Sequence, residues 1–157
     1  MQANDVDNEL KINILYVDDE VHNLESFRAN YRRDYSIFTA LSANAAKSIL
    51  AEQDIHIIIT DQKMPGTSGT QLLEHAVLEY PLQTRIMLTS YTDKEAMLDA
   101  INRGLIFKYL LKPYDVDVLK SQIEEAYEVY YLNRIKEELY KEWLKTKEDL
   151  VKLQPKN

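Results

Sequence analysis

The chain has no cysteine, which excludes disulfides and thiolate metal sites. Only three glycines and four prolines occur in 157 residues, too few for a disordered chain or for an all-β fold with its many turns. Long apolar runs are also missing, and no segment approaches the ~18 consecutive apolar residues of a membrane-spanning helix. Met1 to Glu9 is polar and acidic, unlike a signal peptide. A net charge of −7, with no basic stripe or metal-finger spacing, gives no support to a nucleic-acid surface. These absences lead us to expect a cytoplasmic protein that contacts neither membrane nor nucleic acid through this chain.

What is present is a repeated alternation of short apolar runs and longer amphipathic segments. Ile12 to Val17 reads as a first strand and is followed by a helix over His22 to Arg33 with Leu24, Phe27 and Tyr31 inward. Tyr35 to Thr39 is the second strand, and Ser42 is a fair N-cap for a helix from Ala43 to about Gln53 that turns Ala46, Ile49 and Leu50 inward. The stretch Ile55 to Gly69 organises the rest: a β-branched run buried on both faces stops on Asp61, and Met64-Pro65-Gly66 forces a loop before a helix over Thr70 to Glu79. Arg85 to Leu88 is the fourth strand. A helix over Asp93 to Arg103 follows, with Ala96, Met97, Ala100 and Ile101 as its buried stripe and Gly104 as its stop. Leu105 to Leu111 is the fifth strand, and a last helical pattern starts near Asp115. Five strand-helix units in succession predict a doubly wound parallel sheet, an α/β fold with an extended C-terminal helix.

Four of these strands end on residues able to do chemistry: Asp18 and Asp19, Asp61, Thr89, and Lys112. Parallel strands place all four ends on one edge of the sheet, where loops converge. Two or three carboxylates with a hydroxyl and an ammonium, and neither His nor Cys, suit a hard cation such as Mg²⁺ beside a phosphoryl group. A carboxylate is also a competent nucleophile, forming an aspartyl-phosphate. Each residue alone has a plainer reading as a turn, cap or solvated charge. The four together, in order on successive strands, do not.

Val17-Asp18-Asp19-Glu20, Asp61 to Gly66 with Gly69, Leu88-Thr89-Ser90 and Lys112-Pro113 together resemble the receiver domain of two-component response regulators. The resemblance covers about Lys11 to Tyr130. It implies a flavodoxin-like receiver over 12–130, preceded by a flexible segment 1–11 and followed by a helical extension 131–157. By this resemblance Asp61 is the phosphoacceptor for a sensor histidine kinase or phosphotransfer protein. Asp18, Asp19, Asp61 and the Lys63 backbone carbonyl hold Mg²⁺, Thr89 and Lys112 hold phosphoryl oxygens, and Tyr109 is the switch aromatic. The Lys112-Pro113 bond is cis in that family. A stoichiometric acceptor, not a turnover enzyme, is expected.

Two departures from the family pattern matter, one at the phosphate entrance, where the residue is still small enough to admit phosphate, and one bearing on lifetime. Ser90 stands where Ala or Gly is usual, and Lys63 and Tyr91 occupy the positions two after the phosphoacceptor and two after the threonine. Both are bulky, which predicts slow hydrolysis of the phosphoryl group. Haloacid-dehalogenase-like phosphatases offer a rival reading, but their nucleophile belongs to an Asp-x-Asp pattern after the first strand, and Lys63 stands where the second Asp would follow Asp61. A phosphorylation-independent adaptor is a third reading, with little reason to keep every chemical residue.

The tail from Asp115 to about Leu153 is longer than an ordinary globular helix. Its first third is expected to pack on the sheet through Val116, Leu119, Ile123 and Ala126. Beyond that, Leu132, Ile135 and Leu139, then Trp143, Thr146, Leu150 and Leu153, fall on one stripe with steps of three and four. This pattern predicts a homodimer through a parallel coiled coil with one stutter. The tyrosines at 127, 130, 131 and 140 read as packing surface or a partner site, with packing favoured.

Overall fold

The computed structural model describes residues 11–156, without the Tyr91 side chain. The expected flexible segment 1–11 therefore falls outside the described residues except for Lys11. The elements are β1 (Asn13–Val17), α1 (Val21–Tyr31), β2 (Ser36–Ala40), α2 (Ala43–Glu52), β3 (Ile57–Asp61), α3 (Gly69–Glu79), β4 (Thr84–Thr89), α4 (Lys94–Asn102), β5 (Lys108–Leu111) and α5 (Val116–Lys152). All strand pairings are parallel, in the order β2-β1-β3-β4-β5. This is the doubly wound five-stranded sheet with a long terminal helix that the alternation predicts.

Side chains alternate across each strand, so the sheet has two apolar faces. On one, Leu15, Val17, Ile58 and Met87 pack under α2 and α3, with Ala100 of α4. On the other, Ile14, Tyr16, Ile57 and Ile59 pack with Phe27 of α1 and Ile123 of α5. Central β3 has helices over both faces, and Ile57, Ile58, Ile59 and Thr60 are fully buried. Its continuous apolar run follows from that position.

Local chemistry sets several boundaries. Ser42 caps α2 by accepting the Ala45 N–H at 3.1 Å. Ser68 and Gln71 form a reciprocal capping box that starts α3 one residue earlier than the loop reading placed it. Asp115 accepts the Asp117 and Val118 N–H groups and so opens α5.

Three expectations are corrected. The fifth strand begins at Lys108 rather than Leu105, because Gly104 turns with φ +66° and Leu105 drops into the core. There the Leu105 carbonyl accepts from the half-buried Arg85 Nε at 2.8 Å, a side-chain partner in place of a ladder bond. Ile101 and Val116 are exposed rather than inward, at 40% and 39%, since their helices are covered only along narrower stripes centred on Met97 and Ala100, and on Leu119, Ile123 and Ala126. The tyrosine run divides. Tyr130 is buried and Tyr127 half-buried, stacked near His56, whereas Tyr131 and Tyr140 are exposed.

Two hydroxyls pin α5 to the domain. Tyr31 donates to the Val116 carbonyl at its start, and Thr84 donates to the Ala126 carbonyl ten residues on, both at 2.8 Å. From Tyr131 onward the helix continues away from the sheet, with Leu132, Leu139, Trp143, Leu150 and Leu153 all more than half exposed. Among the described residues no helix is long and apolar enough to cross a membrane.

Candidate functional site

Register builds the site. Val17 pairs with Thr60 and Asp61 with Leu88, so Asp18 and Asp61 leave adjacent strands side by side. Thr89 pairs with Leu111, and its carbonyl accepts the Lys112 N–H at 2.8 Å, which brings the ends of β4 and β5 to the same edge. Asp18, Asp19 and Asp61 each place one carboxylate oxygen within 4.8 Å of the other two. Lys112 Nζ lies 2.8 Å from Asp18 Oδ2 and 3.4 Å from Asp61 Oδ2. The Lys112-Pro113 peptide is cis. Asp18, Asp61 and Lys112 thus meet as the sequence leads one to expect.

The two central carboxylates are held differently. Asp18 is fully buried, and its oxygens accept from the Tyr16 hydroxyl at 2.8 Å, the Glu20 N–H at 2.9 Å, Asn23 Nδ2 at 3.0 Å and Lys112. Burial opposes its ionisation, but the bonds from Lys112, Glu20 and Tyr16 outweigh burial and hold the carboxyl below the ordinary carboxylate value. Burial first, then the Asp18 carboxylate, push the Tyr16 phenol up, so it stays a donor. Among the described residues, the Asp61 carboxylate has only the Gln62 N–H at 2.8 Å and the longer contact with Lys112. Its burial, helped by repulsion from Asp18 and only partly offset by Lys112, raises its carboxyl above the ordinary value. Burial works against the Lys112 charge, yet the two carboxylates outweigh it and the ammonium is held above its usual range. Asp18 is therefore fixed, and Asp61 is the less committed oxygen donor, open to a reacting group.

Thr89 is buried, with its hydroxyl 3.4 Å from both Asp93 Oδ2 and the Ser90 carbonyl. Ser90 also donates to Asp93 at 3.2 Å, and Lys63 Nζ reaches Asp93 Oδ1 at 3.5 Å from the far side. Lys63 therefore crosses the rim toward Asp93, and the Tyr91 side chain lies outside the described residues. Tyr109 stands 42% exposed on edge strand β5.

Four contributors escape the sequence reading, and a fifth residue, Gly69, gains a steric role. Tyr16 looks like core, Asn23 like a helix surface residue and Asp93 like a helix start, yet the first two bind Asp18 and the third engages Thr89, Ser90 and Lys63. Gln62 Oε1 accepts both the backbone and hydroxyl of Thr70, closing the loop after Asp61. Gly69 sits so near that loop that an added Cβ would lie 2.2 Å from the Asp61 carbonyl oxygen. Of the five, Gly69 alone was marked in the sequence, as the glycine that follows Met64-Pro65-Gly66 after the strand end.

The family model described as response regulator receiver domain matches residues 14–124. The hydrogenase transcriptional regulatory protein HoxA of Cupriavidus necator is 32% identical over 115 residues, 73% of this chain and 24% of its own length. The DNA-binding transcriptional regulator NtrC of Salmonella typhimurium is 30% identical over 89 residues, 57% of this chain and 19% of its own. The chain thus spans about a quarter or less of the length of these relatives. Among solved structures, a chain described as adenylate cyclase from Rhodopirellula baltica superposes with a TM-score of 0.81 at 32% identity, covering 84% of this chain and 98% of that one. A response regulator receiver domain protein from Clostridium thermocellum gives 0.73 at 31% identity, covering 77% and 98%. With the family model spanning well over half of its residues, on this sheet order, the chain belongs to the response regulator receiver domain family of two-component signalling.

Proposed function

We propose that the chain is a phosphorylatable switch that takes one phosphoryl group on Asp61 from a phosphohistidine of a sensor histidine kinase or phosphotransfer protein. The observation that carries this is the convergence of Asp18, Asp19 and Asp61 oxygens within 4.8 Å, with Lys112 Nζ 3.4 Å from Asp61. An Asp61 carboxylate oxygen forms the new bond to phosphorus, and the P–N bond to the donor imidazole breaks, its electron pair leaving with the ring. Lys112 then shifts from Asp61 toward a phosphoryl oxygen, while its bond to Asp18 keeps it in place.

An all-oxygen carboxylate set without His or Cys fits Mg²⁺, which Asp18, Asp19, Asp61 and the Lys63 backbone carbonyl would hold. The chemistry it supplies when bound is neutralisation of the charge gathered between carboxylates and phosphate. Thr89 leaves Asp93 to donate to a phosphoryl oxygen, and Tyr109 moves inward in its wake. The changed surface is read out through α5. Phosphate is accepted stoichiometrically, without turnover of phosphate esters.

Intact-mass measurement after treatment with acetyl phosphate should show one added phosphoryl group, lost with chelator and lost in Asp61→Asn. Unchanged labelling of Asp61→Asn would overturn the assignment. Steady release of phosphate from an ester substrate would instead make the chain a phosphatase.

A further inference from the structure

The outer part of α5 is a helix without a domain under it. From Leu132 to Leu153 it extends roughly 32 Å at the rise of an α-helix. Because α5 is continuous to Lys152, this segment does not fold back on its own sheet. A solitary helix in water draws most of its stability from packing of an apolar face, and this one leaves Leu132, Leu139, Trp143, Leu150 and Leu153 between 54% and 79% exposed.

The charges beside that face say what covers it. Leu132, Ile135 and Leu139 form an eleven-residue step to Trp143, after which Trp143, Thr146, Leu150 and Leu153 keep heptad spacing. Thr146 donates its hydroxyl to the Glu142 carbonyl at 3.0 Å, so its polar atom is satisfied within the helix and its methyl is free to face a partner. On one flank of the stripe lie Glu142 and Asp149, and on the other Lys136 and Lys147. The ion pairs within this segment are Arg134 with Glu138 and Glu137 with Lys141. Among the described residues, Glu142 and Lys147 form no ion pair, and Lys147 Nζ rests 5.1 Å over the Trp143 ring.

We propose that a second copy of this chain covers the stripe as a parallel two-stranded coiled coil from Leu132 to Leu153. A two-fold interface requires a self-complementary surface, and here each copy brings an acidic flank to meet the other's basic flank. In the parallel arrangement Glu142 faces Lys147 of the other copy, and the reverse pair forms by symmetry. An antiparallel pair would set acid against acid and base against base. The eleven-residue step relaxes the left-handed supercoil between Leu132 and Trp143, and the heptads beyond restore it. This inference uses none of the phosphorylation chemistry, so the two stand or fall separately.

The absence of cysteine makes the test direct, because one introduced thiol reports on one position. The full chain should scatter light as a dimer at high micromolar concentration. Oxidised Thr146→Cys should form a disulfide between copies, whereas Glu148→Cys, on the outer face, should not. Glu142→Lys and Lys147→Glu should each weaken association on the order of ten-fold, and the double exchange should recover most of it. A chain that stays monomeric with and without beryllofluoride overturns the proposal. So does a dimer in which Glu148→Cys cross-links as fast as Thr146→Cys, or in which the double exchange recovers nothing.

Discussion

Asp93 is the residue whose position says most about the resting site. Its carboxylate takes up the Thr89 and Ser90 hydroxyls and meets Lys63, so both side chains bordering the acceptor are engaged before any phosphate arrives. Asp93→Ala should free Thr89 and Lys63 and raise beryllofluoride affinity on the order of three- to ten-fold, measured by titration calorimetry. An unchanged or weaker affinity would mean that Asp93 instead orients Thr89 for the phosphate. Gly69 sets a steric limit in the same loop: Gly69→Ala has no room beside the Asp61 carbonyl and should cost about 1–3 kcal/mol in urea unfolding, with slower labelling of Asp61. Asp18, Asp61 and Lys112 were legible in sequence because each ends an apolar run, where a charge is unexpected. Tyr16 and Asn23 were not, because a core tyrosine and a helix-surface asparagine become ligands only once α1 has docked on β1.

Strand and helix positions follow from the sequence wherever burial is two-sided or periodic. β3 is legible because its run is apolar without interruption, and α1 because Leu24, Phe27 and Tyr31 keep one stripe. Edge strand β5 is shorter than its apolar pattern because Leu105 serves the core as part of a turn, and no local pattern separates that role from a strand residue. The root of α5 holds a further element invisible to periodicity. His56 is buried beneath Tyr127 and Tyr130, with Nδ1 accepting the Asn13 N–H at 3.0 Å and Nε2 3.7 Å from Asp54 Oδ2. Burial, with a smaller push from Arg134, lowers its basicity despite the attraction of Asp54. The folded state therefore takes up a proton less readily than the unfolded chain. Its contribution is intact above the ordinary histidine value of about 6.5 and is lost as pH falls below it, at no more than about 1.4 kcal/mol per pH unit. Thermal unfolding across that range should drop more steeply for the parent than for His56→Gln, and parallel curves would exclude the histidine as the cause.

At the scale of the whole molecule, the residues that make the sheet and its two cores end at Tyr130, and among the described residues the site's carboxylates and their ion-pair partner end at Lys112. A chain ending after Tyr131 should therefore bind beryllofluoride within about two-fold of the parent affinity, while sedimenting as a single copy. Loss of binding on truncation would show that the outer helix supports the acceptor site. The two hydroxyl clamps on α5 have a mechanical consequence. Tyr31 and Thr84 grip the helix ten residues apart, and beyond the second clamp a straight arm of roughly 39 Å runs from Ala126 to Lys152. A tilt of about 5° between the clamps moves the tip by roughly 3 Å, more than half the pitch of an α-helix. Shifts too small to disturb the packed sheet thus arrive at the far end of the helix as displacements large enough to change which side chains meet.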